Sequence, residues 1–357
     1  MTTELGPVLL RGIPFGSARH IRRDIEDMPD TDPPAVQAGT SSAARSHPPT
    51  PAPKLTLVLA LGAGAGGALL AVQSRINGAL AHALGPGHAI TAALISFAGG
   101  LALLCAVVAL SRHRRAALAE LRRARVPAWS YLGGLAGVAF VSSAAYTTPV
   151  TGVAFLMVCV IVGQMIGGLV IDAWGIGPGG KRPITTRRLV AALMAVGAVV
   201  VNANGHLPAG AGAALLPLLT VVGALLSFQQ AANGRVSAAS GSPAVATFVS
   251  FSVSTVVLMA LAISAPVFGA AGPAPNWPSP GQAWMFVGGV CGVLFVLLST
   301  IAVGPLGVLR VAMSVIAGQF TGAVALDLLA PASSGLQTPT AIAAVLTFGA
   351  VVLANKR

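Results

Sequence analysis

Charge is scarce in this sequence. Of its 357 residues only 8% are charged, nine are Asp or Glu, and 5% are aromatic, whereas 55% are hydrophobic. The mean hydropathy is +0.83. Because a soluble globule of this size needs far more polar surface, the composition excludes that class and predicts an all-α integral membrane protein with several spans.

Cysteines and enzyme motifs are also scarce. Cys105, Cys159 and Cys291 are odd in number and lie in apolar runs, which argues against a disulfide framework and a metal site. We find no glycine-rich phosphate loop with its lysine, no zinc-type His-Glu spacing and no nucleophile–base group within a span. The sequence therefore favours no enzyme activity, no cofactor and no metal.

The net charge of +12 is carried by short loops and a tail. No basic patch interleaved with aromatics is present, so anionic lipid headgroups are the expected partners and nucleic acid is not. Residues 1–53 are rich in Pro, Ser, Thr and Arg and are predicted to form a disordered, cytoplasmic tail. No signal-peptide core is found there, and Met28 is an alternative start.

One unit of the chain occurs twice. In the later part of the unit the second copy follows the first at an offset of 155; the recurring residues are Trp129, Gly133, Gly134, Gly137, Phe140, Gly152, Gly163, Gln164, Gly167 and Asp172, matched by Trp284, Gly288, Gly289, Gly292, Phe295, Gly307, Gly318, Gln319, Gly322 and Asp327. Upstream, Gln73, Asn77, Gly78, Gly85 and Phe97 are echoed by Gln229, Asn233, Gly234, Gly241 and Phe251. The duplication predicts two repeats, residues 54–205 and 206–357.

Apolar runs of about 20 residues, enough to span a bilayer, occur ten times. They lie near 55–76, 89–110, 129–148, 150–172 and 187–204 in the first repeat, and near 210–230, 244–268, 283–303, 305–328 and 339–354 in the second. Five spans per repeat is an odd number, so the second repeat would enter the membrane from the opposite side. The sequence thus predicts ten transmembrane helices in two inverted five-helix repeats.

The distribution of Lys and Arg tests that count, because only correct spans place these residues on one side. On the predicted cytoplasmic side lie Arg45, Lys54, Arg112, Arg114, Arg115, Arg122, Arg123, Arg125, Lys181, Arg182, Arg187, Arg188, Arg235, Arg310, Lys356 and Arg357. Arg75 is the exception, near the outer end of the first helix. Both termini are predicted to be cytoplasmic.

Amides repeated within spans are the candidate substrate-binding residues, since an unpaired amide in lipid is costly. They are Gln73, Asn77, Gln164, Gln229, Asn233 and Gln319. In one interpretation they line a central polar cavity between the repeats. In the other they are hydrogen-bonding contacts between helices, which are common in membrane bundles.

Small residues beside these amides are predicted to allow close helix crossings. The glycines concerned are Gly133, Gly137, Gly163, Gly167, Gly288, Gly292, Gly318 and Gly322. Three charged residues remain as candidates for coupling or gating. Asp172 and Asp327 lie near helix ends and either cap or carry protons, and Arg75 either reaches toward the outer interface or lines an outer vestibule.

Several stretches resemble the YdcZ-type branch of the drug/metabolite transporter superfamily. They are "LLAVQSRINGALAHALG", "ALISFAGG", "YLGGLAGVAFV" and "GVAFLMVCVIVGQMIGGLVIDAWG" within residues 55–205, and "FQQAANGRVSAASGSPAVATFVSF" and "GPLGVLRVAMSVIAGQFTGAVALDLLA" within 210–355. The resemblance implies five-helix membrane units, here fused in one chain, and an inner-membrane exporter. Fusion would make a second subunit unnecessary, and the oligomeric state, monomer or homodimer, is open.

Together these features predict a secondary transporter that exports a small organic metabolite or drug by alternating access between the repeats. The amides favour a neutral or zwitterionic solute, and proton coupling is an open option. Two rivals belong to other classes: a lipid flippase or scramblase, and a non-transporting membrane scaffold or sensor with a recruiting tail.

Overall fold

The computed structural model describes residues 52–202, 211–265 and 272–329, with residues 342, 345, 346, 348–350, 352 and 353. Its helices are α1 (Pro53–Leu84), α2 (Ala89–Ala109), α3 (Arg112–Arg123), α4 (Gly134–Trp174), α5 (Thr186–Asn202), α6 (Ala211–Ser240), α7 (Pro243–Ser264), α8 (Gly288–Leu306) and α9 (Val308–Leu329). Short 3-10 turns, Ala128–Gly133 and Pro280–Phe286, precede α4 and α8. Within these ranges the regular structure is entirely helical. Residues 1–51 of the predicted tail and half of the predicted last span, 339–354, lie outside the described residues.

Five helical stretches in the described chain are long and apolar enough to cross a membrane. They are Pro53–Leu84, Ala89–Ala109, Leu215–Ser240, Pro243–Ser264 and Pro280–Leu306. Shorter apolar helical stretches run over Cys159–Trp174 and Val308–Gly322. The all-helical membrane class is therefore supported, while the count of ten spans stays a prediction.

The sequence analysis predicted two separate helices at 129–148 and 150–172. That prediction of a break was wrong, because the backbone is one continuous helix there. After the 3-10 turn, α4 runs without interruption for 41 residues from Gly134 to Trp174. Pro149 lies inside this helix. The helix continues past it because a proline removes only one backbone donor, and a membrane helix tolerates that loss. At about 1.5 Å per residue the helix is about 60 Å long, roughly twice the hydrocarbon core of a bilayer.

The second repeat breaks at the corresponding position. Gly307 has φ +85°, in the left-handed region, and α9 begins at the next residue, Val308. A glycine adopts this conformation without steric cost. The two repeats therefore share their sequence pattern but differ in backbone at the Gly152/Gly307 position.

The loop after α2 contains a helix that the span analysis did not predict. Helix α3 begins after Ser111, whose hydroxyl accepts the Arg114 N–H (3.4 Å). Two of its apolar side chains, Ala117 and Leu121, are buried in a cluster with Val236, Val245 and Ala246 of α6 and α7. The helix was missed because half of its residues are charged and it has no apolar run long enough to span a membrane. Its packing partners also belong to the other repeat, so they are distant in sequence.

The two repeats interlock rather than pack as separate blocks. Helix α1 packs along α8 and α9, helix α6 packs along α4, and α2 packs against α7. Each repeat's first helix thus lies against the later helices of the other repeat. The arrangement creates a space between the repeats that both of them line.

Matched glycines make the closest of these crossings. A Cβ atom on Gly163 would lie 1.9 Å from the Thr220 carbonyl oxygen, and one on Gly318 would lie 1.7 Å from the Gly64 carbonyl oxygen. One turn later, Gly167 meets Ala224 of α6 and Gly322 meets Ala68 of α1 in the same way. Only glycine permits these approaches, so the two crossings are built from equivalent residues.

Candidate functional site

A cavity lies between the repeats and is lined by both. Its empty space, counted out to the solvent-open mouth, is about 850 Å³. All six amides predicted from the sequence line it: Gln73, Asn77, Gln164, Gln229, Asn233 and Gln319. The remaining lining residues are Leu70, Ser74, Phe97, Gly137, Phe140, Val141, Leu226, Gln230, Phe251, Gly292, Phe295, Val296, Ser299, Thr300 and Val315. The fold therefore brings to one place amides that are up to 246 positions apart in the sequence.

The cavity walls follow the sequence repeat. Besides the predicted amides, five pairs of equivalent positions with identical residues line it: Leu70 with Leu226, Phe97 with Phe251, Gly137 with Gly292, Phe140 with Phe295, and Val141 with Val296. The predicted glycines contribute by leaving room. A Cβ on Gly133 would lie 2.8 Å from the Asn233 Oδ1, and one on Gly288 would lie 2.6 Å from the Asn77 Oδ1.

Most of these amides are not used as hydrogen-bonding contacts between helices. Among the described residues, Gln229 alone of the six makes a side-chain hydrogen bond within the protein, donating from Nε2 to the Ser250 Oγ (3.3 Å). The buried oxygens Asn77 Oδ1, Gln230 Oε1 and Ser299 Oγ have no hydrogen-bond partner there. Buried polar atoms are normally paired, so these three unpaired oxygens are unusual for a protein interior.

Sequence reasoning missed four polar members of this wall, Ser74, Gln230, Ser299 and Thr300. Gln230 and Ser299 are both buried and line the cavity. Neither was selected because the repeat pattern was the criterion: the counterpart of Gln230 is Ser74, and the counterpart of Ser299 is Ala144. A search for every amide or hydroxyl on the cavity-facing side of a span would have found them.

Asp172 lies away from the cavity, at the junction of α4 and α9. Its carboxylate accepts the backbone N–H groups of Val308 (2.8 Å) and Leu309 (3.3 Å) and pairs with the Arg188 guanidinium. The residue is only 2% exposed. A carboxylate at this place satisfies the free donors at the start of α9 and complements the helix dipole. Of the two roles considered for Asp172, helix capping and proton carriage, this geometry is that of a cap.

Arginines around Asp172 connect the ends of several helices. Arg182 donates from Nη2 to the carbonyl oxygens of Gly304 (3.1 Å) and Pro305 (2.8 Å) at the end of α8. Arg188 donates from Nη1 to the Pro183 carbonyl oxygen (3.0 Å). Burial lowers the pKa of Arg182 below its ordinary value, and the neighbouring Asp172 charge opposes that shift.

A further arginine holds the end of α4. Arg235 of α6 donates to the carbonyl oxygens of Gly175 (3.0 Å) and Ile176, and its guanidinium lies 5.4 Å from the Trp129 ring centroid. We name this group of Asp172, Arg182, Arg188 and Arg235 the arginine cluster. The sequence analysis treated its three arginines only as topology signals, because their partners are backbone carbonyls and a carboxylate distant in sequence.

Arg75 lies on the exposed surface of α1. Its Nη1 donates to the Leu326 carbonyl oxygen (3.4 Å), near the end of α9. Arg75 is not part of the cavity wall. Asp327, the third candidate for coupling or gating, lies on the described backbone of α9, but its side chain is outside the described residues.

Metal-ligating side chains do not cluster in the described residues. No group of three or more His, Cys, Asp or Glu is placed there to hold an ion. Cys159 and Cys291 are buried in spans and Cys105 is exposed, and none of them is in a disulfide.

Comparison with known proteins gives one family and one fold. The family described as "Putative inner membrane exporter, YdcZ" matches twice, at residues 58–201 and 214–353. No curated protein matches the chain. A crystal structure aligns with a TM-score of 0.62 over 84% of this chain and 96% of its own, and at 17% identity it supports the fold alone.

The two family matches coincide with the two repeats seen in the sequence and cover most of the chain. The family is one of exporters rather than enzymes, which implies a small-molecule substrate and a multi-pass protein of the inner membrane. The chain therefore belongs to the YdcZ-type family of the drug/metabolite transporter superfamily, with the family unit present twice.

Proposed function

We propose that this protein is a secondary transporter that exports a small organic solute by alternating access, with the cavity between the repeats as its solute site. One observation carries the proposal: all six repeated amides lie in the wall of a single cavity that both repeats line. Contacts between helices would have distributed the amides over separate crossings. A solute site requires them in one place.

The proposal includes ten transmembrane helices, in repeats that enter the membrane from opposite sides. Support comes from the odd number of predicted spans per repeat and from the single-sided distribution of Lys and Arg. Helix α3, with exposed Arg112, Arg115, Arg122 and Arg123, then lies at the cytoplasmic face. Both termini lie on that face as well.

The same orientation puts the arginine cluster at the cytoplasmic end of the molecule. There α4, α6, α8 and α9 are joined by buried polar contacts, so this end is closed. Alternating access requires these contacts to separate while the opposite end closes. We propose that Asp172 acts in this cluster as part of an inner gate, and proton carriage by Asp172 is the competing outcome.

The experiment is solute flux in sealed vesicles that contain the purified full chain, with and without an imposed pH gradient. A panel of metabolites and drugs is compared between the wild type, the double variant Gln164→Leu/Gln319→Leu and the control Asn276→Leu, an exposed amide outside the cavity. We expect flux in the wild type and control and its loss in the folded double variant. Equal flux in the double variant would contradict the cavity as the solute site.

The rival functions give different results in the same vesicles. Movement of labelled phospholipid between leaflets without solute flux would indicate a scramblase. Absence of both, together with a requirement for residues 1–53 in binding another protein, would indicate a scaffold or sensor. A flux that depends on the pH gradient in the wild type but not in Asp172→Asn would assign proton coupling to Asp172.

A further inference from the structure

The chemistry of the cavity wall also restricts what can enter it. Among the described residues that line it, none is Asp, Glu, Lys, Arg or His. The closest sequence candidate, Arg75, follows the lining residue Ser74 but contacts the end of α9 instead. An ion that left water for this wall would find no opposite charge, which is unfavourable inside a membrane protein.

Aromatic rings form the apolar part of the wall. Four phenylalanines line the cavity as two equivalent pairs, Phe97 with Phe251 and Phe140 with Phe295. The rings of Phe97 and Phe251 pack together at 5.1 Å between centroids with a tilt of 39°. A Cβ on Gly100 would lie 2.5 Å from the Phe251 Cε1, so these rings are held tightly by their surroundings.

The polar part of the wall consists of planar amides and hydroxyls. Asn77 Oδ1, Gln230 Oε1 and Ser299 Oγ are buried acceptors that lack a donor among the described residues. A carboxamide side chain can both donate and accept, and it therefore suits a ligand edge with adjacent N–H and C=O groups. Aromatic and apolar side chains that enclose a flat ring, together with such edge contacts, are a general way to read heteroaromatic bases.

From these three observations we propose that the transported solute is an uncharged, planar heteroaromatic compound with an amide-like edge. The inference rests on the proposed function and names the substrate class of the same cavity. The rings supply stacking surface, the amide side chains of the wall exchange hydrogen bonds with the solute's edge, and the lack of charge in the described wall disfavours ionised analogues.

A matched set of four probes tests each element of the proposal. Nicotinamide is uncharged, aromatic and carries an amide; nicotinate and 1-methylnicotinamide add a negative and a positive charge; cyclohexanecarboxamide keeps the amide and removes the aromatic ring. Flux of each probe is measured in vesicles with the full chain, and flux in protein-free vesicles is subtracted. We expect nicotinamide to exceed each of the others about tenfold, because the wall offers a charged probe no opposite charge and offers the saturated ring no stacking.

A variant pair links the selectivity to the wall. The double variant Phe140→Leu/Phe295→Leu replaces two half-buried rings of the wall and is expected to lower nicotinamide flux about tenfold without changing flux of the saturated amide. Phe286→Leu, an exposed ring outside the cavity, is the control. Wild-type selectivity among the four probes tests the proposal even if the double variant does not fold.

The possible results distinguish an error in the substrate class from an error in the proposed transporter function. Equal flux of the charged probes would overturn the uncharged class, and equal flux of the cyclohexane compound would overturn the aromatic requirement. If the panel contains transported solutes but nicotinamide is not among them, the substrate class is wrong while the transporter stands. If no solute moves at all, the proposed function fails and this inference fails with it.

Discussion

Helices α1 and α6 are the first helices of the two repeats and carry equivalent polar residues, yet they lie in different environments. A Cβ on Gly234 of α6 would lie 2.6 Å from Val303 and 2.7 Å from Pro178, whereas one on the equivalent Gly78 would meet nothing within 4 Å among the described residues. Ser74 of α1 is exposed, but its counterpart Gln230 is 6% exposed.

This difference shows that one sequence pattern supports two packing arrangements. Gly234 of α6 packs against Pro178 and Val303 beside the arginine cluster, whereas Ser74, Arg75 and Gly78 on the matching stretch of α1 are exposed. If the protein works by the alternating access proposed above, this inequality is what a state closed on one side should show. The four predictions below test this difference in packing between α1 and α6.

The largest effect is expected where the repeats are alike. Gly163→Leu and Gly318→Leu should each prevent folding, because their Cβ atoms would overlap backbone carbonyls across the α4–α6 and α1–α9 crossings. The yield of monodisperse protein in size-exclusion chromatography and the melting temperature measure this. Gly99→Leu is the control, since Gly99 has open space around it. A folded Gly318→Leu protein would contradict the equivalence of the crossings.

The second prediction concerns the unequal glycines. Gly234→Leu should lower the free energy of unfolding by about 1 to 3 kcal/mol, as overpacked sites do, because Val303 and Pro178 must move. Gly78→Leu should change it little. Unfolding in mixed micelles by titration with a denaturing detergent gives both values. Similar losses in the two variants would show that the described end of α1 is packed as closely as α6.

The third prediction compares the loss of one charge in the arginine cluster, Asp172, with the loss of one charge on the exposed face of α1, Arg75. Asp172→Asn leaves Arg188, which is 8% exposed, without its partner, and should cost roughly 3 kcal/mol of unfolding free energy. Arg75→Gln alters an exposed side chain and should cost about 1 kcal/mol or less. The same detergent titration compares the variants. A loss for Arg75→Gln as large as that for Asp172→Asn would remove the energetic contrast between the two sites.

The smallest perturbation is a single thiol. In a background with Cys105, Cys159 and Cys291 replaced by alanine, Ser74→Cys should react with a membrane-impermeant maleimide added outside. Gln230→Cys should react much more slowly from either side, because its position is buried. Mass spectrometry of the labelled fraction over time gives the two rates. Equal rates would show that the state of the molecule in the membrane is not closed at the α6 end.

Much of the candidate site was accessible from the sequence. The six amides were found because a residue type that is costly in lipid occurred at matched positions of both repeats, and all six line one cavity. Gln230 and Ser299 were missed because they break that symmetry. The partners of Asp172 were missed because Val308 and Leu309 contribute backbone groups, which leave no trace in a side-chain pattern.

The helices were predicted unevenly for a similar reason. Apolar length placed α2, α5 and α7 within a few residues of their observed bounds. It did not give the continuity of α4 through Pro149 or the docking of α3 on α6 and α7. Those features depend on contacts with the other repeat.

The sequence by itself determined that this chain is a helical membrane protein made of one unit used twice, because hydropathy and repetition are properties of the linear order of residues. It also determined which amides had to be explained. Only the tertiary structure decided that Asp172 accepts the first N–H groups of α9, and that Gly234 of α6 is closely packed while the equivalent Gly78 of α1 has no described neighbour within 4 Å of its Cβ position. Equivalent segments can pack in different ways, and the contacts that select between them join residues far apart in the chain.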